Sequence, residues 1–203
     1  MAVTSMSFTQ KTLQQFLDDL ASANAVPGGG TVSALAGALG ASLLMMVCRL
    51  TIGKKGYGAV EAEMRDYLTR LEPLRAEFAD LMQKDSDAFS DVMRAFQLPK
   101  DTPEQKTARA QSVQDAYKRA TEVPLRVAQL ASELAVIAQS IVAKGNQNAA
   151  SDAGVAALMT QVALRGAVQN VRINLDAIKD DAYVCARRAW AEQLEQSSFA
   201  SAG

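Results

Sequence analysis

Apolar residues recur along this chain mostly at helical spacing. Leu13, Phe16, Leu17 and Leu20 fall three and four apart and predict a first helix over about Thr9–Ala23. The run Asn24 to Gly30, with Pro27-Gly28-Gly29-Gly30, breaks that pattern, and Thr31 stands where a cap for the next helix belongs. The second segment, about Thr31–Leu50, is apolar on every side, which predicts a place in the middle of a bundle. Its small residues Ala34, Gly37, Ala38 and Ala41 form a face that a neighbouring backbone can approach closely. Gly53 ends it, followed by Lys54 and Lys55 near the negative end of the helix dipole.

Met64, Leu68, Leu71, Phe78, Leu81, Met82, Phe89, Val92 and Met93 line one side of a long third helix, about Val60–Phe96. After a turn at Leu98–Pro103 a fourth helix reaches about Ala143, bent at Pro124 and capped by Gly145. Asn146 to Ser151 link it to a fifth helix over Asp152 to about Leu175, with Asn148 or Ser151 as its cap, and a sixth covers about Asp181–Glu195. Five or six antiparallel helices with short links predict an all-α bundle. No repeat or low-complexity linker divides the chain, so 1–203 reads as one domain, ordered over about 8–196 and loose at Met1–Ser7 and Ser197–Gly203.

Composition sharpens this picture. Aromatics are 5% while alanine is abundant, which favours close-packed helices over a sheet. A net charge of −1 advertises no polyanionic partner, so neither nucleic acid nor an anionic membrane surface is expected. Val32–Cys48 is nearly uncharged, but it is shorter than the ~20 residues a membrane span requires and diluted by Ser33, Gly37, Gly40 and Ser42. It reads as a core helix. Cys48 and Cys185 lie far apart and match no metal or redox spacing, so they read as free thiols of a reducing compartment. Met1–Ser7 lacks the features of a signal peptide, and a cytoplasmic location is the expectation. The chain has no histidine, which excludes Ser-His-Asp and Cys-His catalysis and imidazole-bound zinc. No metal site is expected, and acid–base chemistry falls to carboxylates, lysines, tyrosines or water.

Four places then stand out. Asp85 lies three, four or seven residues from Phe78, Leu81, Met82, Phe89 and Val92, on the apolar stripe of the third helix. A carboxylate there is costly unless paired or used, so a structural ion pair and a functional acid both remain open. The Pro27-Gly28-Gly29-Gly30 turn lets backbone approach a ligand at a helix N-terminus, or simply turns tightly between packed helices. Lys54 and Lys55 either complement the dipole or meet an acidic substrate. The link Lys144-Gly145-Asn146-Gln147-Asn148, running on to Asp152, holds more polar groups than capping needs; Asn170 and Asn174 continue the face of Asp152, which marks a cleft or a subunit contact.

Several segments together resemble the cyclodeaminase/cyclohydrolase family, which comprises methenyltetrahydrofolate cyclohydrolases and the cyclodeaminase part of formiminotransferase-cyclodeaminases. They are Phe16-Leu17-Asp18-Asp19-Leu20-Ala21-Ser22, Pro27 to Gly30, Ala36-Gly37-Ala38-Leu39-Gly40-Ala41 and Leu50-Thr51-Ile52-Gly53-Lys54-Lys55. Leu98-Pro99-Lys100, Ala120 to Leu125, Lys144 to Asn148 and Ser151 to Val155 follow in the same order. Gly56 departs from the pattern, where a third lysine is usual, as do Ala25-Val26 before Pro27. The resemblance implies an all-helical homodimer with folate in a cleft, without cofactor, hydrolysing 5,10-methenyltetrahydrofolate to 10-formyltetrahydrofolate. It implies Asp85 as base and cation stabiliser and Lys144 as acid or orienting donor. Asn146, Asn148 and Asp152 would hold the pterin edge or the water, Gly28–Gly30 the flat ring, and Lys54 and Lys55 the glutamate tail. Cyclodeamination of formiminotetrahydrofolate, folate binding without turnover, and a structural role without folate are the alternatives.

Overall fold

The computed structural model describes residues 7–199, which form six helices and, among the described residues, no strand. They are α1 (Leu13–Leu20), α2 (Gly29–Thr51), α3 (Glu61–Phe96), α4 (Pro103–Lys144), α5 (Ala150–Asp176) and α6 (Asp181–Phe199). Single 3-10 turns at Phe8–Gln10, Gly58–Val60 and Gln147–Ala149 lead into α1, α3 and α5. The expected loose ends at Met1–Met6 and Ala200–Gly203 lie outside the described residues, whereas α6 runs on past Glu195 to Phe199.

Local chemistry sets where each helix begins. Thr12 accepts from the Gln15 N–H (3.2 Å) while Gln15 Oε1 accepts from the Thr12 N–H (2.9 Å), so α1 starts at Leu13 and not at Thr9. The same reciprocal pair, Thr102 with Gln105, opens α4. Two expected caps do not form. Gly28 holds the cap position of α2, which leaves Thr31 inside the first turn. No side chain caps α5: Asn148 instead donates its backbone N–H to Asn146 Oδ1 (3.0 Å). Pro124 lies within a continuous α4, and so does Pro73 within α3.

α2 sits centrally, flanked by α3 and α5 with α4 behind it. Its glycines admit those neighbours. A Cβ at Gly37 would overlap the Phe78 ring of α3, and one at Gly40 would lie 3.2 Å from the Ala156 carbonyl of α5. Gly30 meets Asp85 and Gly37 meets Phe78, so α3 runs antiparallel to α2; Gly29 beside Asn170 and Gly40 beside Ala156 set α5 antiparallel too. Phe78, Leu44, Leu71, Leu134 and Ile141 are fully buried between these helices, each contributing ~1.5–3 kcal/mol. α2 and α4 are long and apolar enough to cross a membrane, and 61% of the most apolar stretch of α2 is buried inside the bundle.

Candidate functional site

Asp85 faces the N-terminus of α2. α3 carries it there because Phe78, Leu81 and Met82 of the preceding turns are buried, which turns the same stripe, Asp85 included, toward α2. The close approach requires glycine at position 30, where a Cβ would overlap the carboxylate. The Thr31 hydroxyl donates to Asp85 Oδ2 (2.9 Å), and with its one proton so used it accepts from Ser86 Oγ (3.1 Å). Around the carboxylate lies a recess of about 140 Å³ lined by Val26, Gly28–Gly30, Phe89, Ala120, Ile173 and the amides of Asn170 and Asn174. Its lining holds no lysine or arginine. Burial therefore pushes the Asp85 carboxyl above its ordinary 3.8, and the hydrogen bonds from Thr31 only partly oppose that. A carboxylate that is raised, accessible and without a cation is what a general base or the counter-charge of a cationic ligand requires.

Both amides are fixed. Asn170 donates to the Gly166 carbonyl (2.8 Å) and Asn174 to the Ala120 carbonyl of α4 (3.1 Å), leaving each amide oxygen as an acceptor beside the recess. Pro27 is buried behind this wall and lines a separate depression with Ser86 and Asp87.

The other candidates gather at the opposite end of α2. That helix spans 23 residues, about 33 Å at 1.5 Å per residue. Lys144 donates to Glu63 Oε1 (2.7 Å) and Oε2 (3.0 Å), and Ser140 and Tyr67 donate to the same carboxylate. The Lys144 ammonium, followed by the Tyr67 and Ser140 hydroxyls, holds Glu63 down at about 2. Glu63 in turn raises Lys144, so the two groups hold one another in their charged forms. Asn146 is buried and committed to structure. Its amide donates to the Leu50 carbonyl (2.8 Å), satisfying the last turn of α2, and its oxygen accepts from Lys54 Nζ (3.0 Å). Asn148 and Lys55 are exposed, and Asp152 is half-buried in the first turn of α5.

One chain thus brings together Asp85 and Gly28–Gly30. It keeps them apart from Lys54, Lys55, Lys144, Asn146, Asn148 and Asp152. Sequence reasoning missed the hydroxyl pair Thr31 and Ser86, and it left Asn170 and Asn174 as an unassigned polar face. Hydroxyls facing each other from α2 and α3 were a signal, but Thr31 also fitted a cap. A wider groove of about 870 Å³ lies further along α4, beside Phe96, Tyr117, Lys118, Lys179 and Asp180. Its one acid is neutralised, since Lys118 donates to Asp180 (2.7 Å), so it offers no free base.

Residues 12–193 match the formiminotransferase-cyclodeaminase family. A methenyltetrahydrofolate cyclohydrolase of Methylorubrum extorquens is 45% identical over 173 residues, 85% of this chain and 83% of that protein. A formimidoyltransferase-cyclodeaminase of Sus scrofa is 36% identical over 177 residues, 87% of this chain and 33% of that protein, so this chain spans about a third of its length. The crystal structure of formiminotetrahydrofolate cyclodeaminase from Thermotoga maritima is similar with a TM-score of 0.84 at 32% identity, covering 95% of this chain and 92% of that one.

Proposed function

Because the chain belongs to the formiminotransferase-cyclodeaminase family, we propose that it hydrolyses 5,10-methenyltetrahydrofolate to 10-formyltetrahydrofolate. The observation that carries the reading is Asp85, a half-buried, raised carboxylate in a recess without a cation. The methenyl bridge is a cationic amidinium and completes that charge balance. Water adds to the bridge carbon as its proton passes to Asp85. Asp85 returns the proton to N5 as the carbon–N5 bond breaks, and the hydroxyl left on the carbon gives its own proton to solvent water to become the formyl group. The bridge carbon is already electrophilic, so the scheme uses neither metal nor cofactor. The acceptor oxygens of Asn170 and Asn174 suit the N–H edge of a pterin, and the Gly28–Gly30 backbone, without side chains, lets a ring approach it closely.

The protein works as a homodimer in the reducing cytoplasm on this reading. The apolar outer face of α2 and α5 supports the dimer, and two cysteines without a partner, Cys48 and Cys185, support the compartment. Following methenyltetrahydrofolate absorbance with and without purified protein tests the activity. Accelerated loss is expected. Loss at the buffer rate, with ammonia released from formiminotetrahydrofolate instead, would replace this reading with the cyclodeaminase one.

A further inference from the structure

Hydrolysis of the bridge leaves a proton behind. The substrate is a cation and the formyl product is neutral, so each turnover must deliver one proton to solvent. Asp85 gives the first proton it holds to N5 and is then free to take the second from the hydroxyl on the bridge carbon. That second proton has to leave while the ring is still bound. A ring set against the Gly28–Gly30 backbone covers a recess of only about 140 Å³ and shuts bulk water out from the front of the carboxylate.

Behind the carboxylate lies another way out. The Thr31 hydroxyl is 2.9 Å from Asp85 Oδ2 and 3.1 Å from Ser86 Oγ. Thr31 and Ser86 are both buried, so the two hydroxyls make a short wire inside the protein. Ser86 lines the separate depression, of about 250 Å³, that it shares with Pro27, Asn24, Asp87 and Ser90. Asn24 and Asp87 are exposed, which opens this depression to water, and the one lysine that lines it, Lys11, is paired with Asp19. A helical hydroxyl commonly returns its proton to the carbonyl four residues back, as those of Ser90, Thr121 and Thr160 do here. Ser86 instead spends its proton across the helix interface on Thr31, where it adds nothing to the carboxylate directly. With Asp85 ionised, Ser86 donates to Thr31 and Thr31 to Asp85, the orientation a wire holds once a proton has left. When Asp85 is protonated both hydroxyls turn: Asp85 donates to Thr31, Thr31 to Ser86, and Ser86 to water. Each oxygen gains one proton and loses one, so neither hydroxyl ends charged.

We infer that Thr31 and Ser86 are a proton relay, carrying the product proton from Asp85 to water in the depression beside Pro27. Both are positioning residues that act through Asp85, and neither touches the substrate. This rests on the folate reading above.

The test is Ser86→Ala, which leaves Thr31 on Asp85 and breaks the wire at its outer end, measured beside Thr31→Val and Thr31→Ser. Ser86→Ala is expected to lower kcat on methenyltetrahydrofolate about tenfold with KM unchanged, less than the ~10²–10⁴-fold of a group at the reacting atoms. Rising concentrations of imidazole, a small proton acceptor, should restore part of that loss once the uncatalysed rate in the same buffer is subtracted. The wild type, with its own relay, should not respond. Thr31→Val is expected to lose kcat as well, and Thr31→Ser, which returns the hydroxyl, to keep most of it. Ser86→Ala with wild-type kcat overturns the relay. So does a loss that imidazole does not restore, because a merely structural contact lowers the melting temperature without creating that dependence. Should Ser86→Ala fail to fold, Thr31→Val read against Thr31→Ser decides by the same imidazole response. An active wild type with unresponsive variants fails the relay alone, whereas a wild type that leaves methenyltetrahydrofolate at the buffer rate fails the folate reading and the relay with it.

Discussion

The two ends of α2 handle charge in opposite ways. At its C-terminal end the groups that face the helix are answered by protein: Lys144 by Glu63, Glu63 by Tyr67 and Ser140, Lys54 by Asn146, and Asn146 by the Leu50 carbonyl. At its N-terminal end a half-buried carboxylate meets one hydroxyl and no cation. The first arrangement is what stability favours. The second costs stability, and a protein that keeps such a group has a use for it. Polar density therefore misleads as a guide to chemistry, and an unanswered charge guides better.

Asp85→Asn breaks the contrast most directly. It keeps the shape and the Thr31 contact but removes base and charge, so turnover is expected to fall ~10²–10⁴-fold. The folded carboxyl is raised, so the fold binds that proton more tightly than the unfolded chain. Stability is then lost as pH rises from the ordinary 3.8 through the raised value, and the cost is fully present at neutral pH. Asparagine removes it, so the melting temperature should hold or rise; a fall together with near-normal turnover would make Asp85 structural. In the wild type the acid limb of kcat/KM should lie above 3.8.

Gly30→Ala sharpens the same end. The new methyl must displace the carboxylate, and a shift of about 1 Å near the chemistry costs on the order of 10²-fold. Gly58→Ala, whose added Cβ meets nothing within 4 Å and which lies outside the recess, is the control and should stay near wild type. Equal rates from the two would show that Asp85 needs no such closeness.

Gly37→Ala moves to the middle of the helix, where the added methyl strikes the fully buried Phe78 ring. Overpacking of this kind costs ~1–3 kcal/mol, or roughly 2–4 °C of melting temperature per kcal/mol in a chain of this size. Turnover at a permissive temperature should remain.

The smallest effect belongs to Glu63→Gln. Glu63 is lowered from 4.5 to about 2, so its contribution is present above 4.5 and is lost as pH falls toward 2. The wild-type melting temperature should drop through that window, and the variant should drop less. Parallel curves would mean that the answered end is not held by charge at all.

Much of this was legible in the sequence. Helical periods located all six helices, because burial of one face imposes its spacing whatever the neighbours are. Asp85 was visible because a carboxylate on an apolar stripe conflicts with the pattern around it. Thr31 was not, since a hydroxyl after a glycine turn serves equally as a cap or as a contact, and only the position of α3 decides between them. The contacts of Asn146 and Lys144 were not legible, because a link rich in amides is the same string whatever it faces, and only the positions of α2 and α3 bring Leu50 and Glu63 to them. Periodicity orders residues along helices but not the ends of different helices in space.

The glycine at position 30 has an evolutionary consequence. Since its missing side chain is the space the Asp85 carboxylate occupies, the two positions are bound to vary together. A descendant that acquired a side chain at 30 would have to give up the acid at 85 while keeping the rest of the bundle. Such a pair of changes would date the loss of chemistry in a lineage, and position 30 would register it even where the remaining family motifs persist.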